Sequence, residues 1–163
     1  MKTKRGVLLS NIIATILFII PINKIDLFTE NYSTLSLSTR GYLYVLFTGI
    51  FIGIILAYET YKITSKVNAI IIFSSMLVGV IIPHHVPYNL QGNLHLLFAY
   101  IGFAGIVICT ILNCHKIKNK EIYSFFIFIS IVLYLKFGMV TTISEIIVML
   151  STLFTNLYMY LKS

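Results

Sequence analysis

Long apolar runs separated by short polar connections make up most of this chain. The runs fall at residues 6–22, 42–58, 67–82, 94–112, 122–140 and 143–161. Each is close to the ~17–25 residues that a helix needs to cross the hydrocarbon of a bilayer. The pattern predicts an all-α, polytopic integral membrane protein: a six-transmembrane-helix bundle forming a single domain over residues 1–163. The first run follows a basic start, Met1 to Arg5, as in a signal peptide, but no A-x-A-like cleavage site comes after it. It is read as an uncleaved first span. Lys136 lies near the end of the fifth run, close enough to an interface to snorkel. The turn into the sixth run is very short and holds Gly138, Thr141 and Thr142.

Composition agrees with lipid as the main solvent. Of 163 residues, 58% are hydrophobic and only 10% charged, against about 25% charged in soluble domains. The formal charge of +7 would suit nucleic acid only as a continuous basic patch. Here the basic residues form short clusters between apolar runs, so nucleic acid is not an expected partner. The clusters read as topology signals. Nine of the twelve lysines and arginines (Lys2, Lys4, Arg5, Lys62, Lys66, Lys116, Lys118, Lys120 and Lys162) fall in alternate connections, leaving Lys24, Arg40 and Lys136 on the other side. That bias predicts both termini in the cytoplasm, in a plasma membrane. Cys109 and Cys114 would then sit where thiols stay reduced, and Glu59 and Glu121, near cytoplasmic lysines, read as interface charges.

Small residues suggest where helices meet. Close backbone approach and interhelical hydrogen bonds, not the hydrophobic effect, hold spans together in lipid. Gly49, Gly53 and Ala57 form a ridge on the second span, suited to an internal contact or to a homo-oligomer. His95, Ala99, Gly102, Gly105 and Cys109 share one side of the fourth span by the helical period, as Glu145, Thr152 and Asn156 do on the sixth.

The candidate chemistry gathers at the outer face. The stretch from Pro83 to His95 carries three of the four histidines and no Lys, Arg, Asp or Glu. Topology brings His84, His85 and His95 to the level of Arg40 and Glu145, with Asp26 and Glu30 as additions. Glu145 and Arg40 could pair, a structural account. As a site, the set has three uses. One is binding of a lipid headgroup or small anionic ligand, with Arg40 as a clamp and helix N-termini attracting negative charge. The alternative is a metal-dependent intramembrane lipid hydrolase with zinc on His84, His85, His95 and Glu145. The third is a proton-coupled small transporter. No H-E-x-x-H motif, P-loop or dinucleotide fingerprint is present, and serine hydrolase chemistry lacks a G-x-S-x-G elbow. Asn31-Tyr32-Ser33 is a glycosylation triplet.

The layout also resembles a known group: small six-span proteins related to the damage-regulated autophagy modulators and the GPI-anchor lipid-remodelling proteins, with bacterial relatives of unknown function. The resemblance rests on the polar first loop (residues 31–40), the Gly/Pro/polar turn after the third span (residues 79–93), His95 above small residues, and Ser144-Glu145 opening the last span. The double histidine after Pro83 departs from that pattern, as does Ile146 in place of an aromatic. The resemblance implies a membrane-lipid context, with His95 and Glu145 as the positions carried over. The leading expectation is a non-enzymatic lipid- or ligand-binding membrane protein without a cofactor. Its partners would be membrane lipid, with a partner membrane protein or a second copy of the chain.

Overall fold

The computed structural model describes residues 4–28, 30–83, 89–114, 120–137 and 140–162. Among these residues it is all-helical. Six α-helices run as α1 (Lys4–Ile19), α2 (Thr39–Ile63), α3 (Lys66–Ile81), α4 (Leu90–Cys114), α5 (Lys120–Phe137) and α6 (Thr142–Lys162). Two 3-10 helices, Ile20–Lys24 and Tyr32–Leu37, lie in the connection between α1 and α2.

Local chemistry explains the boundaries better than hydropathy does. Pro21 has no N–H to donate, so α1 tightens into the first 3-10 helix there. Ser38 caps α2 by accepting from the Gly41 N–H at 3.1 Å, and Ser65 caps α3 through the Asn68 N–H at 3.2 Å. Asn89 accepts from the Gly92 N–H at 2.9 Å, so α4 starts at Leu90, before its apolar run begins. α5 ends at Phe137 rather than near 140. Thr141 and Ser144 then bond each other's backbone N–H groups to open α6.

Four segments are long and apolar enough to cross a membrane: Lys4–Lys24, Thr39–Ile63, Leu90–Asn113 and Thr142–Lys162. At 1.5 Å per residue the 16 residues of α3 reach about 24 Å, and the 25 of α4 about 37 Å. The surface is apolar where that of a soluble protein is polar, and the largely apolar core also holds polar side chains. Large apolar side chains such as Phe47, Leu90, Phe128 and Leu135 point outward, while Thr48, Thr60, Thr110, Thr152 and Asn156 are buried. This is the architecture of an integral membrane protein, in which lipid solvates the apolar exterior and polar groups pair between helices.

α3 packs most extensively on α2 and α4, α6 touches α1, α2, α4 and α5, and α5 lies mainly on α6. The glycine stripes face these contacts. A Cβ on Gly79 would lie 2.8 Å from the Ala99 backbone nitrogen, and one on Gly102 2.9 Å from that of Met76, so only glycine permits the α3–α4 approach. Gly49 and Gly53 of α2 look onto Val80 and Phe73 of α3, an internal contact. Polar pairs complete the packing. The Thr110 hydroxyl donates to Asn156 Oδ1 at 3.0 Å, joining α4 to α6, and Tyr123 and Thr152 hydroxyls meet at 3.1 Å between α5 and α6.

One charged residue departs from the sequence expectation. Glu121 is exposed, as an interface charge should be. Glu59 is fully buried and accepts a hydrogen bond from Asn11 Nδ2 at 2.6 Å. It sits one turn before Lys62 on a helix longer than its apolar run, and the helical turn carries it inward while Lys62 faces out.

Candidate functional site

The first connection folds back over one end of the bundle. Its Glu30 carbonyl accepts from both the backbone N–H of Thr142 (2.7 Å) and its hydroxyl (2.9 Å), and the Leu27 carbonyl from the N–H of Ile143 (3.0 Å). These bonds satisfy donors that the first turn of α6 leaves open. Asn31 shapes the next turn by reciprocal capping: its Oδ1 accepts from the Thr34 N–H at 3.1 Å, while the Asn31 N–H donates to the Thr34 hydroxyl. Ser33 is thereby fixed above α4.

His95, one turn inside α4, reaches this loop. It is 4% exposed. Its Nδ1 lies 2.7 Å from the Ile82 carbonyl and its Nε2 3.1 Å from Ser33 Oγ. A carbonyl oxygen can only accept, so Nδ1 carries a proton; whenever the ring is neutral, Nε2 is the nitrogen left to accept from the serine hydroxyl. The histidine thus links the end of α3, the start of α4 and the first connection.

Beneath them is a partly enclosed cavity of about 190 Å³. Asn31, Ser33, His95 and Glu145 line its polar part, and Thr48 adds a hydroxyl from α2. The remaining wall is apolar and includes Ile52, Met76, Val80, Phe103 and Met149. Five of the helices and the first connection meet here, and the sequence stripes of α4 and α6 each contribute their outermost polar residue. A second apolar crevice between α5 and α6 carries Ser151, Thr155 and tyrosines at its margins but no carboxylate or imidazole.

The expected site residues divide accordingly. His95 and Glu145 share the cavity. Arg40 is exposed in the first turn of α2, does not line the cavity, and makes no ion pair among the described residues. Its expected pairing with Glu145 is not formed. Asp26 and Glu30 engage the connection itself: Asp26 Oδ1 accepts from the Phe28 N–H and Glu30 Oε2 from the Asp26 N–H, at 2.8 and 2.9 Å. His84 and His85 lie outside the described residues. Among the described residues no three His, Cys, Asp or Glu side chains come together to hold a metal ion. Asn31 is part-buried and committed to its cap, which disfavours its use as a glycan acceptor.

Sequence reasoning missed Ser33, Asn31 and Thr48 at the site. Ser33 lies 62 positions from its partner His95, with no motif to join them. The signal that was there is the capping pattern Asn31-x-x-Thr34, which marks a fixed turn in an otherwise featureless Ser/Thr-rich loop. The chain matches no protein-family model, no curated protein and no solved structure.

Proposed function

We propose that this protein spans the plasma membrane six times with both ends in the cytoplasm, and holds a single-chain amphiphile, or one chain of a membrane lipid, in the cavity beneath the first connection. The observation that carries the reading is the cavity's two-part wall, with Asn31, Ser33, His95 and Glu145 at one end and an apolar shaft at the other. Such a wall complements a molecule with a hydrogen-bonding head and an alkyl tail. At about 190 Å³ it is smaller than the roughly 300–1,000 Å³ of drug-sized sites, which favours one slender chain over a bulky headgroup. A carboxylate in the wall and an arginine outside it favour a neutral or cationic head over the anionic one. Lipid as partner agrees with the context that the family resemblance implies.

For the topology, the support is the nine-to-three distribution of basic residues together with the start of α1 and the end of α6, which meet: Lys4 Nζ donates to the Leu161 carbonyl at 2.8 Å. Helices α3 and α5 complete an even number of crossings, α3 by local bilayer thinning and α5 with Glu121 and Lys136 near its ends.

The test is photo-crosslinking of detergent-purified protein with a monoacyl lipid carrying a diazirine on its chain. Saturable labelling of cavity-wall peptides, competed by unlabelled lipid and lost in a folded Val80→Trp variant that fills the shaft, is the expected result. Labelling spread evenly over the lipid-facing surface and indifferent to Val80→Trp would overturn the reading.

A further inference from the structure

The polar end of the cavity holds more than a hydrogen-bonding surface. We propose that Ser33 and His95 form a nucleophile–base pair that transfers the acyl group of a lipid ester, an activity resting on the amphiphile-binding reading above. Three observations carry it. Ser33 Oγ is 3.1 Å from His95 Nε2, within reach of proton transfer. The Ile82 carbonyl, 2.7 Å from Nδ1, holds the ring in the tautomer whose Nε2 lone pair faces the hydroxyl. This is the arrangement of nucleophile, base and orienting group that acyl transfer needs, with a backbone oxygen as the third member. Both side chains, with Asn31 and Glu145, line the polar end of a cavity whose other end is apolar, so an alkyl tail in the shaft would bring a carbonyl carbon to the serine.

The chemistry balances without a metal or redox partner. Ser33 Oγ attacks the ester carbonyl carbon as its proton passes to His95 Nε2, and the carbonyl π pair moves onto oxygen. The tetrahedral species collapses, the bond from carbon to the alcohol oxygen breaks, and the departing alcohol takes the proton from Nε2. The acyl group is now on Ser33. Water, or a second lipid alcohol, attacks that acyl carbon, gives its proton to Nε2, and releases Ser33, which recovers the proton. Ester and water become acid and alcohol, or one ester becomes another. Asn31 lines the same space with its Oδ1 held by Thr34, which leaves the amide N–H₂ as the end able to donate to the developing oxyanion.

The test uses an alkyl fluorophosphonate, which phosphorylates activated serines, on the full-length protein in nanodiscs, read by intact mass and peptide mapping. One adduct on Ser33 is expected, absent in Ser33→Ala and slowed by about 10²-fold or more in His95→Gln. The diazirine monoacyl lipid should still crosslink Ser33→Ala, separating loss of chemistry from loss of binding. Mapping the adduct in the unaltered protein keeps the test valid if a variant misfolds. Unaltered protein that crosslinks the lipid but gives no Ser33 adduct overturns the catalytic pair and leaves the binding reading standing. Absence of both crosslink and adduct overturns the two together.

Discussion

The side-chain amide of Asn11 and the carboxyl group of Glu59 meet at 2.6 Å in the interior between α1 and α2, where both are almost wholly buried. The same amide also donates to the Val7 carbonyl at 3.0 Å. Asn11 Oδ1 and Glu59 Oε2 have no hydrogen-bond partner among the described residues. Polar groups in a membrane interior are expensive unless paired, and those that are kept usually join helices or serve function. Here the pair ties the first helix to the second near the end that carries Lys62.

That geometry separates two substitutions. Asn11→Ala leaves Glu59 buried without its donor, and should lower stability by about 1–3 kcal/mol. Glu59→Gln keeps an acceptor for Asn11 and replaces an unpartnered oxygen with a donor, so it should stay within about 1 kcal/mol of the unaltered protein. Thermal loss of monodispersity in detergent measures both. Equal damage from the two would mean that the helix contact depends on the carboxyl group itself and that an amide cannot replace it.

The α3–α4 crossing gives a second, steric prediction. Gly79→Ala and Gly102→Ala each drive a methyl into the backbone of the facing helix, which cannot yield as a side chain tip can. Each should destabilise by about 1–3 kcal/mol. Gly53 faces only the Phe73 ring, whose nearest atoms would be 3.6 Å from a new Cβ. Gly53→Ala should therefore be neutral, or gain up to ~1 kcal/mol of helix propensity. Midpoints of thermal unfolding for the three variants, taken in one detergent, rank the contacts directly.

Which of these features could be read from the sequence follows from the range over which each acts. The helices were legible because apolar runs and their period are local. So were the stripes on α4 and α6, and His95 and Glu145 come to one cavity from those stripes. Helix ends were less legible, because Ser38, Ser65 and Asn89 set them through single capping bonds that hydropathy averages away. Glu59 was misread because a carboxylate near Lys62 has the same local surroundings whether it faces lipid, water or Asn11. Arg40 and Ser33 exchanged roles for a related reason. Level in the bilayer brings residues to one end, but the fold of the first connection decides which of them face inward. That fold depends on bonds to Thr142 and Ile143, more than a hundred residues away.

The interhelical hydrogen bond between Thr110 and Asn156 is buried at both ends. Thr110→Val keeps the shape and removes the donor, leaving Asn156 Oδ1 without it. Interhelical bonds of this kind contribute about 0.6 kcal/mol on average and up to roughly 1.7, so a loss in that range is expected. Asn156→Leu removes the acceptor but adds bulk against a tight α4–α6 contact and should cost more. A double-mutant cycle isolates the bond; a coupling near zero would show that packing alone holds α4 to α6.

The sidedness of the chain is tested by two positions at opposite ends of the bundle. Ser38 caps α2 in the connection that covers the cavity, and Lys162 closes α6 beside Lys4 and Leu161. Both are exposed, so each can be changed to cysteine in a background with Cys109 and Cys114 replaced by serine. The basic residues concentrate at the Lys162 end, and basic loops stay on the cytoplasmic side. A membrane-impermeant maleimide added to intact cells should then label Ser38→Cys and spare Lys162→Cys until the membrane is opened. The opposite pattern would turn the molecule over and face the cavity to the cytoplasm, where a substrate from the inner leaflet would have to enter. Labelling of both positions in intact cells would mean that the two ends share a side. That result would break the even count of crossings and remove α3 or α5 from the set of spanning helices.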